Sequence, residues 1–519
     1  MHSDQNGHQT NAGGQPSFVQ QFSISGLFGY RTISLDSEHA ATVLIARNGA
    51  GKTTMLGALD AFLRCQFGRL ADLSFDRIEC KLRGLEGVLS LRKSDLDELI
   101  AKVSEIPALI RFAKAYEFDV ADVVFFILWE YPLADRNELY RSVIFEKLIG
   151  RTPYTYESAE RQVRSLTESA NAVRSPVIAL RDTVAATLVG IEVVYLPTYR
   201  RIELSLPEPE EARSHRRTPS IQSRLGLTRR GLHTGDIQFG LSDISARLNR
   251  MHQEIMAESN QKYAEISANI IDDLISGDFD THTNSQAERP SISELSVFFE
   301  RLKDARNERY LYGGPFGRPN RLPDLGRIES GNIPAKSEKF LTYFLGKLNS
   351  VIQKTRDTER AVENFIASCN LYLSTDDPTT TRSGVAIGDE KELKLDRASL
   401  QVSVWRRNVA NVDSQLAPPV DKKQKEIPLD ALSSGEKQMI SLFARLYLYP
   451  KRKLVLIDEP ELSLSLDWQR KILPDILNAD LCEQVVAITH SPFIFDNELD
   501  IFAKALKIQI ADSDSVGEA

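Results

Sequence analysis

The sequence predicts an α/β fold whose head is assembled from both ends of the chain, with a large, mainly helical insertion between those ends. Three observations predict it. The apolar run Val43-Leu44-Ile45 leads through Ala46-Arg47-Asn48-Gly49-Ala50-Gly51-Lys52-Thr53-Thr54 into Met55-Leu56-Gly57-Ala58-Leu59, the order strand, glycine-bearing loop, helix. Near the other end, two more apolar runs finish in groups that bear chemistry: Leu454 to Ile457 ends in Asp458-Glu459-Pro460, and Val485 to Ile488 ends in Thr489-His490-Ser491. Much of the chain between them carries apolar residues at helical spacing.

The first loop has the chemistry of a phosphate cradle. Its glycines let backbone N–H groups turn inward around phosphate oxygens, and the following helix adds the positive end of its dipole. In the pattern G-x-x-x-x-G-K-[ST], Lys52 reaches the β- and γ-phosphates and the Thr53 hydroxyl holds Mg²⁺. Asn48, Gly49, Ala50, Gly51 and Thr54 complete the nucleotide-binding set. The first position departs from the pattern: it is Ala46 where glycine is usual.

Composition sets the class. The 519 residues suggest about three structural units. Hydrophobic residues at 42% and charged residues at 26% are the profile of a soluble globular protein. A net charge of −8 gives no reason to expect a chain that coats nucleic acid, although a local basic patch remains compatible with it. The four cysteines, Cys65, Cys80, Cys369 and Cys482, form no C-x-x-C pair and read as reduced, buried thiols of a cytoplasmic protein. Met1 to Ser17 is polar and lacks the apolar core of a secretory signal. The most apolar run, Val123 to Trp129, is much shorter than a membrane span, so no membrane association is expected.

In chain order, residues 1–16 read as a disordered tail. Phe18 to Leu35 holds two strand-like pieces around Gly26 and Gly29, and two further strands are expected over Phe75 to Leu82 and Val88 to Leu91. Residues 94–190 read as helical, and Val193 to Leu196 as a strand stopped by Pro197. The segment after it, Arg200, Arg201 and Glu203, fits two readings, a neighbour of the nucleotide or an ion-paired surface loop. Residues 204–239 combine Pro207, Pro209 and Pro219 with the arginines 213, 216, 217, 224, 229 and 230. That loop is open to two readings as well, phosphate contact or simple solvation. Ser242 reads as the N-cap of a long helix with Leu241, Ile244, Leu248, Met251 and Ile255 along one seam, continued by Ile266, Ile270 and Leu274. A Gly/Pro-rich loop over 313–335 and a second helix from about Glu338 to Leu373 complete a short coiled-coil-like arm. An Ile387-Gly388-Asp389-Glu390 turn and a strand at Leu400 to Val404 return the chain to the head. The expected organisation is a tail (1–16), an N-terminal part of the head (17–203, with its helical insert at about 94–190), an arm insertion (204–395) and a C-terminal part of the head (396–519).

Leu432-Ser433-Ser434-Gly435-Glu436-Lys437-Gln438 opens a helix ahead of the acidic strand, and Ser463-Leu464-Ser465-Leu466-Asp467 follows that strand. Glycine loop, LSSGE, strand-Asp-Glu, Asp467 and strand-His fall in the order of the Walker A, signature, Walker B, D-loop and H-switch motifs. In these the chain resembles the ABC-type P-loop ATPases. The resemblance implies that ATP and Mg²⁺ are the cofactors and that Asp458 holds the Mg²⁺ shell across from Thr53. It further implies that Glu459 orients and deprotonates the attacking water and that His490 contacts the γ-phosphate. Ser434 and Gly435, at a helix N-terminus, would face the γ-phosphate held by a second head, with Asp467 near that seam. One chain would then not complete its own site, and the expected assembly is a head-to-head homodimer sandwiching two ATP molecules.

About 380 residues separate Lys52 from Leu432, far more than in a transporter cassette, and Glu459-Pro460-Glu461-Leu462 departs from transporter wording. Both features are similar to the SMC, RecF and OLD-like group, whose heads often start with a hairpin. Within it, Tyr195 to Glu203 and Ile237 to Asp243 most resemble the Septu PtuA and retron-associated anti-phage ATPases. That resemblance implies a separate HNH-type nuclease as partner and, in retron versions, a reverse transcriptase and its DNA. The sequence contains no HNH signature, and the short stretch after His490 leaves no room for a Toprim nuclease domain, so a nuclease site of its own is not expected. Two alternatives stand beside this reading. One is a stand-alone DNA repair or recombination ATPase, the other a scaffold that binds ATP without needing hydrolysis.

Overall fold

The polar–apolar alternation at the start of the chain folds as two antiparallel strands, β1 (Val19–Leu27) and β2 (Arg31–Asp36). Phe22, Ile24, Ile33 and Leu35 fill the interior, while Ser23 and Ser34 pair on the opposite face. The computed structural model describes residues 12–47, 49–133, 139, 142–151, 156–197, 241–276, 289–310, 325–330, 333–373, 391–397, 399–406, 426–428, 432–462 and 464–510. Within the expected disordered tail, residues 12–14 form a 3₁₀ turn and Pro16 bridges His39, because His39 and the neighbouring backbone give that segment partners. The rest of that tail, Thr198 to Glu203, the arginine-rich loop and the turn at 387–390 lie outside the described residues.

β3 (Ala41–Ile45) is buried over four of its five residues, as a strand covered on both faces must be. It delivers the chain to α1 (Lys52–Leu63), followed by β4 (Arg77–Leu82) and β5 (Leu89–Arg92). A helical stretch comes next: α2 (Lys93–Ser104), α3 (Pro107–Tyr116), α4 (Val120–Phe125), α5 (Val143–Arg151), α6 (Tyr156–Asn171) and α7 (Pro176–Thr187). Helix α4 runs on into a π-helical turn, Phe126–Glu130, whose Trp129 ring packs on Phe67. β6 (Ile191–Leu196) closes this part of the chain.

Two compact units divide the chain, one of 1–237 with 450–519 and one of 238–449. The second begins with α8 (Leu241–Ser276), then α9 (Ile292–Tyr310), the single turn α10 (Leu325–Glu329) and α11 (Ala335–Leu373). At 1.5 Å per residue the 39 residues of α11 span about 58 Å. Ile244, Leu248, Met251 and Ile255 of the expected α8 seam are buried, and Ile266 and Ile270 share a core with Leu295, Phe298 and Leu302 of α9 and with Leu345, Leu348 and Ile352 of α11. The arm is therefore a three-helix packing rather than a helical pair. Its third helix, α9, has a sequence signal in the capping box Ser291-x-x-Glu294: Ser291 N donates to Glu294 Oε2 at 2.9 Å and Glu294 N to Ser291 Oγ at 3.2 Å. The segment expected as a loop over 313–335 contains α10, whose Leu325 and Ile328 pack on the same core.

The antiparallel strands β7 (Lys391–Asp396), β8 (Gln401–Arg406) and β9 (Glu426–Ile427) follow, then α12 (Ser434–Tyr447). α12 belongs to the second unit, where Phe443 meets Tyr372 of α11 at 5.4 Å between ring centroids and Ser368 donates to Tyr447 Oη at 3.1 Å. The compact units thus part after Tyr449, beyond this helix.

The chain re-enters the first unit with β10 (Arg452–Asp458), α13 (Leu466–Leu477), β11 (Cys482–Thr489), β12 (Ala503–Ala505) and β13 (Lys507–Ile510). Five parallel strands lie in the order β12-β3-β11-β10-β6, and β13-β2-β1-β4-β5 form an antiparallel sheet. β11 stands between the glycine-loop strand β3 and the acidic strand β10. Parallel strands end at the same edge, so the loop, His490 and Asp458-Glu459 emerge side by side. The two sheets are fastened by Gln484, fully buried in β11. Its Oε1 accepts from Phe18 N and Val19 N at 3.0 and 2.7 Å, and its Nε2 donates to Val19 O and Ser37 Oγ at 3.2 and 2.9 Å.

Candidate functional site

The site is built at the shared strand edge. After β3 the backbone turns through Gly49 (φ 77°) and Gly51 (φ 88°), a left-handed conformation that strains any residue with a Cβ. A Cβ on Gly51 would also stand 2.7 Å from Ile33 Cδ1. Ala46 has no positive φ, so the usual glycine is not required there, and its N–H donates to Thr489 O at 3.4 Å. Gly51 caps α1, leaving the first N–H groups of the helix aimed at the loop. Ala50 and Thr54 are half-buried beside it, and Asn48 lies outside the described residues.

Lys52 is 6% exposed on the first turn of α1 and meets both other strand ends. Its Nζ donates to Glu459 Oε1 at 2.5 Å and lies 2.9 Å from His490 Nδ1. An ammonium only donates, so Nδ1 accepts in this contact. His490 Nδ1 is also 3.4 Å from Glu459 Oε1. Thr53 Oγ1 donates to Asp458 Oδ2 at 2.5 Å. Asp458 is fully buried at the end of β10, and Glu459 takes a left-handed turn (φ 52°) directly after it, with its N–H on Ile488 O at 2.8 Å. A non-glycine residue in that conformation is a small reservoir of strain of the kind found at active sites. It points the carboxylate back over the loop.

The hydroxyl of Thr53 and the carboxylate of Asp458 are adjacent hard oxygen donors, a pair that fits Mg²⁺ when phosphates and water supply the remaining ligands. Beneath the site, burial pushes the Tyr195 phenol up, with the Asp458 and Asp60 carboxylates adding and Arg69 opposing. Asp60 of α1 is held by Arg64 and Arg69 at 2.6 and 2.7 Å, which fixes the helix behind the loop.

Five of the residues expected at the nucleotide site, Lys52, Thr53, Asp458, Glu459 and His490, converge in one cluster. Asp467 stands exposed in the first turn of α13. Ser434 and Gly435 stand in the second unit at the N-terminus of α12, where Ser433 and Glu436 form a capping box: Ser433 N donates to Glu436 Oε2 at 2.6 Å and Glu436 N to Ser433 Oγ at 3.3 Å. Lys391 Nζ clamps both carboxylate oxygens of Glu436 at 3.0 and 2.8 Å.

Sequence reasoning expected the β1–β2 hairpin and missed that its turn reaches the glycine loop. Arg31 Nη1 donates to Gly49 O at 3.2 Å, and the guanidinium lies over the Phe28 and Tyr30 rings, which are 47% and 45% exposed. Three large groups in four residues, Phe28 to Arg31, at a turn beside a motif loop were the available signal. It also gave Glu461, Gln469 and Ser491 no role.

Fold and site together define the class: an α/β P-loop ATPase head with a helical insertion. Residues 379–496 match the family described as "AAA domain, putative AbiEii toxin, Type IV TA system". None of the curated proteins matches the chain. Among solved structures, the Smc head domain with an extended coiled coil bound to the C-terminal domain of ScpA, derived from Pyrococcus furiosus, is similar at 13% identity. That alignment covers 95% of this chain and 96% of that chain, with a TM-score of 0.30. The SmcHead bound to the C-winged helix domain of ScpA is similar at 15% identity over 33% of this chain and 47% of that one, with a TM-score of 0.18. TM-scores this low bear on neither the site nor the function. No helix among the described residues is long and apolar enough to cross a membrane.

Proposed function

We propose that the chain binds and hydrolyses ATP with Mg²⁺, closes head-to-head with a second copy around the nucleotide, and regulates an associated nuclease in anti-phage defence. One observation carries the ATPase reading: Lys52, Thr53, Asp458, Glu459 and His490, which come from positions up to 438 residues apart, meet within hydrogen-bond reach. Lys52 and the loop N–H groups bind and orient the phosphates. Bound Mg²⁺ would neutralise developing phosphate charge, with Thr53 and Asp458 as its protein ligands. Glu459, released from Lys52 when phosphate takes the ammonium, orients water and accepts its proton, and His490 steadies the γ-phosphate.

In this reading Ser434 and Gly435 offer a helix N-terminus to the phosphate on the partner head, with Asp467 at the seam. The functional divisions 17–203, 204–395 and 396–519 belong to the same proposal. The defence role, the HNH-type nuclease and the reverse transcriptase with its DNA rest on the resemblance of the soft motifs. A family description that names a toxin–antitoxin system suits a chain that acts with a partner.

Two variants test the reading. Lys52→Ala is expected to weaken ATP binding about tenfold or more, the scale of one lost charged contact. Glu459→Gln is expected to retain binding and lower kcat by about 10²–10⁴. Phosphate release and nucleotide titration check both. If Glu459→Gln leaves turnover unchanged, the hydrolysis reading is wrong. Pull-down of tagged Glu459→Gln protein in ATP tests the partner: a nuclease in fixed ratio supports the defence complex, and a bare homodimer overturns it.

A further inference from the structure

The loop after β10 doubles back onto the end of β11 through one buried carboxylate. Glu461 is 9% exposed. Its Oε2 accepts from Thr489 Oγ1 at 2.7 Å. Its Oε1 accepts from the backbone N–H of His490 at 3.3 Å and stands 3.7 Å from His490 Nδ1. Gln469, buried in α13, holds the same turn from the other side. Its Nε2 donates to Leu464 O at 3.1 Å and Glu461 O at 3.4 Å, and its Oε1 accepts from Ser491 Oγ at 2.9 Å. Ser491 N closes the ring by donating to Thr489 Oγ1 at 2.9 Å.

Thr489, His490 and Ser491 are therefore each fixed by Glu461 or Gln469. A buried carboxylate is costly unless its oxygens are satisfied, and here both are. It accepts at once from a hydroxyl and an amide on neighbouring residues, which a single-acceptor side chain cannot match. We propose that Glu461 is a positioning residue for His490. It fixes the turn that carries the imidazole and keeps the ring within reach of Lys52 and Glu459, while Gln469 secures the loop on which Glu461 stands.

The test has a chemical arm and a kinetic arm, and only the second rests on the ATPase reading. In the first, native protein and the variants Glu461→Gln and Glu461→Ala are treated with diethylpyrocarbonate, and modified histidines are quantified by peptide mass spectrometry. His490 is expected to react several-fold faster in Glu461→Ala and at an intermediate rate in Glu461→Gln, with His39 and His252 unchanged. Unchanged His490 reactivity overturns the proposal, and so does a parallel rise at His39 and His252, which marks general loosening. If the alanine variant does not fold, the glutamine variant alone decides. In the kinetic arm, Glu461→Gln is expected to lower kcat roughly tenfold or more with KM little changed, as for a misplaced group. The double variant with His490→Ala is expected to be no slower than His490→Ala alone. Costs that multiply overturn the positioning role. Should the native protein hydrolyse no ATP, the ATPase reading falls while the modification arm still decides whether Glu461 places His490.

Discussion

Burial sets the chemistry of individual residues in this chain. Cys65, Cys80 and Cys369 are buried and Cys482 is half-buried. Burial pushes the Cys65 and Cys482 thiols up to about 12 from an ordinary 9.0, with Arg181 opposing at Cys65 and the Gln484 backbone opposing at Cys482. Burial raises Cys80 and Cys369 as well. The folded state thus favours the neutral thiol. Its contribution to stability is fully present below about pH 9 and is lost as pH climbs toward 12, because the unfolded chain releases those protons first. Thermal melts are expected to hold steady from pH 7 to about 9 and to fall above it, and a thiol reagent at pH 8 is expected to label none of the four before unfolding. The cluster around Lys52 holds an ion pair. There the charges of Lys52 and Glu459 satisfy each other at 2.5 Å, at exposures of 6% and 14%, and neither can be removed without leaving the other buried and unpaired by it.

Elements carry these residues to one place because parallel strands share an edge. β11 is the key strand: it separates the loop strand from the acidic strand, ends in His490, and carries Gln484 into the junction with β1. Gln484→Leu would keep the volume and strand the N–H groups of Phe18 and Val19 in a dry interior. At about 1–3 kcal/mol for each unsatisfied group, the loss should be about 2–6 kcal/mol. Urea unfolding is expected to show a lower midpoint at unchanged slope. Helix α8 was legible because its apolar residues step by three and four, as in Ile244, Leu248, Met251 and Ile255, whereas α9 and α10 were not expected. β12 and β13 were not, since Ala503–Ala505 is three residues long and all of Lys507–Ile510 is exposed. Strands this short have no periodicity to read; they exist because β3 and β2 offer open edges.

At the scale of the whole molecule, the first unit is a single fold made from chain segments far apart. β10 and β11 pair with β6 and β3, so residues 450–519 supply two of the three inner strands of the parallel sheet. A chain stopped after Tyr449 is expected to lose that unit: β3 and β6 would have no neighbours, and limited proteolysis should degrade 12–197 while native full-length protein resists. Survival of that region would show that its helices and antiparallel sheet hold without the C-terminal strands. The second unit has its own core in Ile266, Leu295, Phe298, Leu348 and their neighbours, and contains α12 with Ser434 and Gly435 at its start.

The residues that meet around Lys52 could be picked out from sequence because each sits in a local pattern: glycine loop before a helix, acids after an apolar run, histidine after another. Ser434, Gly435 and Asp467 were named the same way, since a helix N-terminus is a local feature. What the sequence determined is the kind of element each residue occupies, because backbone sterics and apolar periodicity act over a few neighbours. Tertiary structure alone decided that Lys52 meets Glu459 and His490, that Arg31 braces Gly49, and that Glu461 and Gln469 hold the His490 turn. Those contacts depend on which strands lie adjacent, and strand order is set by long-range pairing that no local pattern encodes.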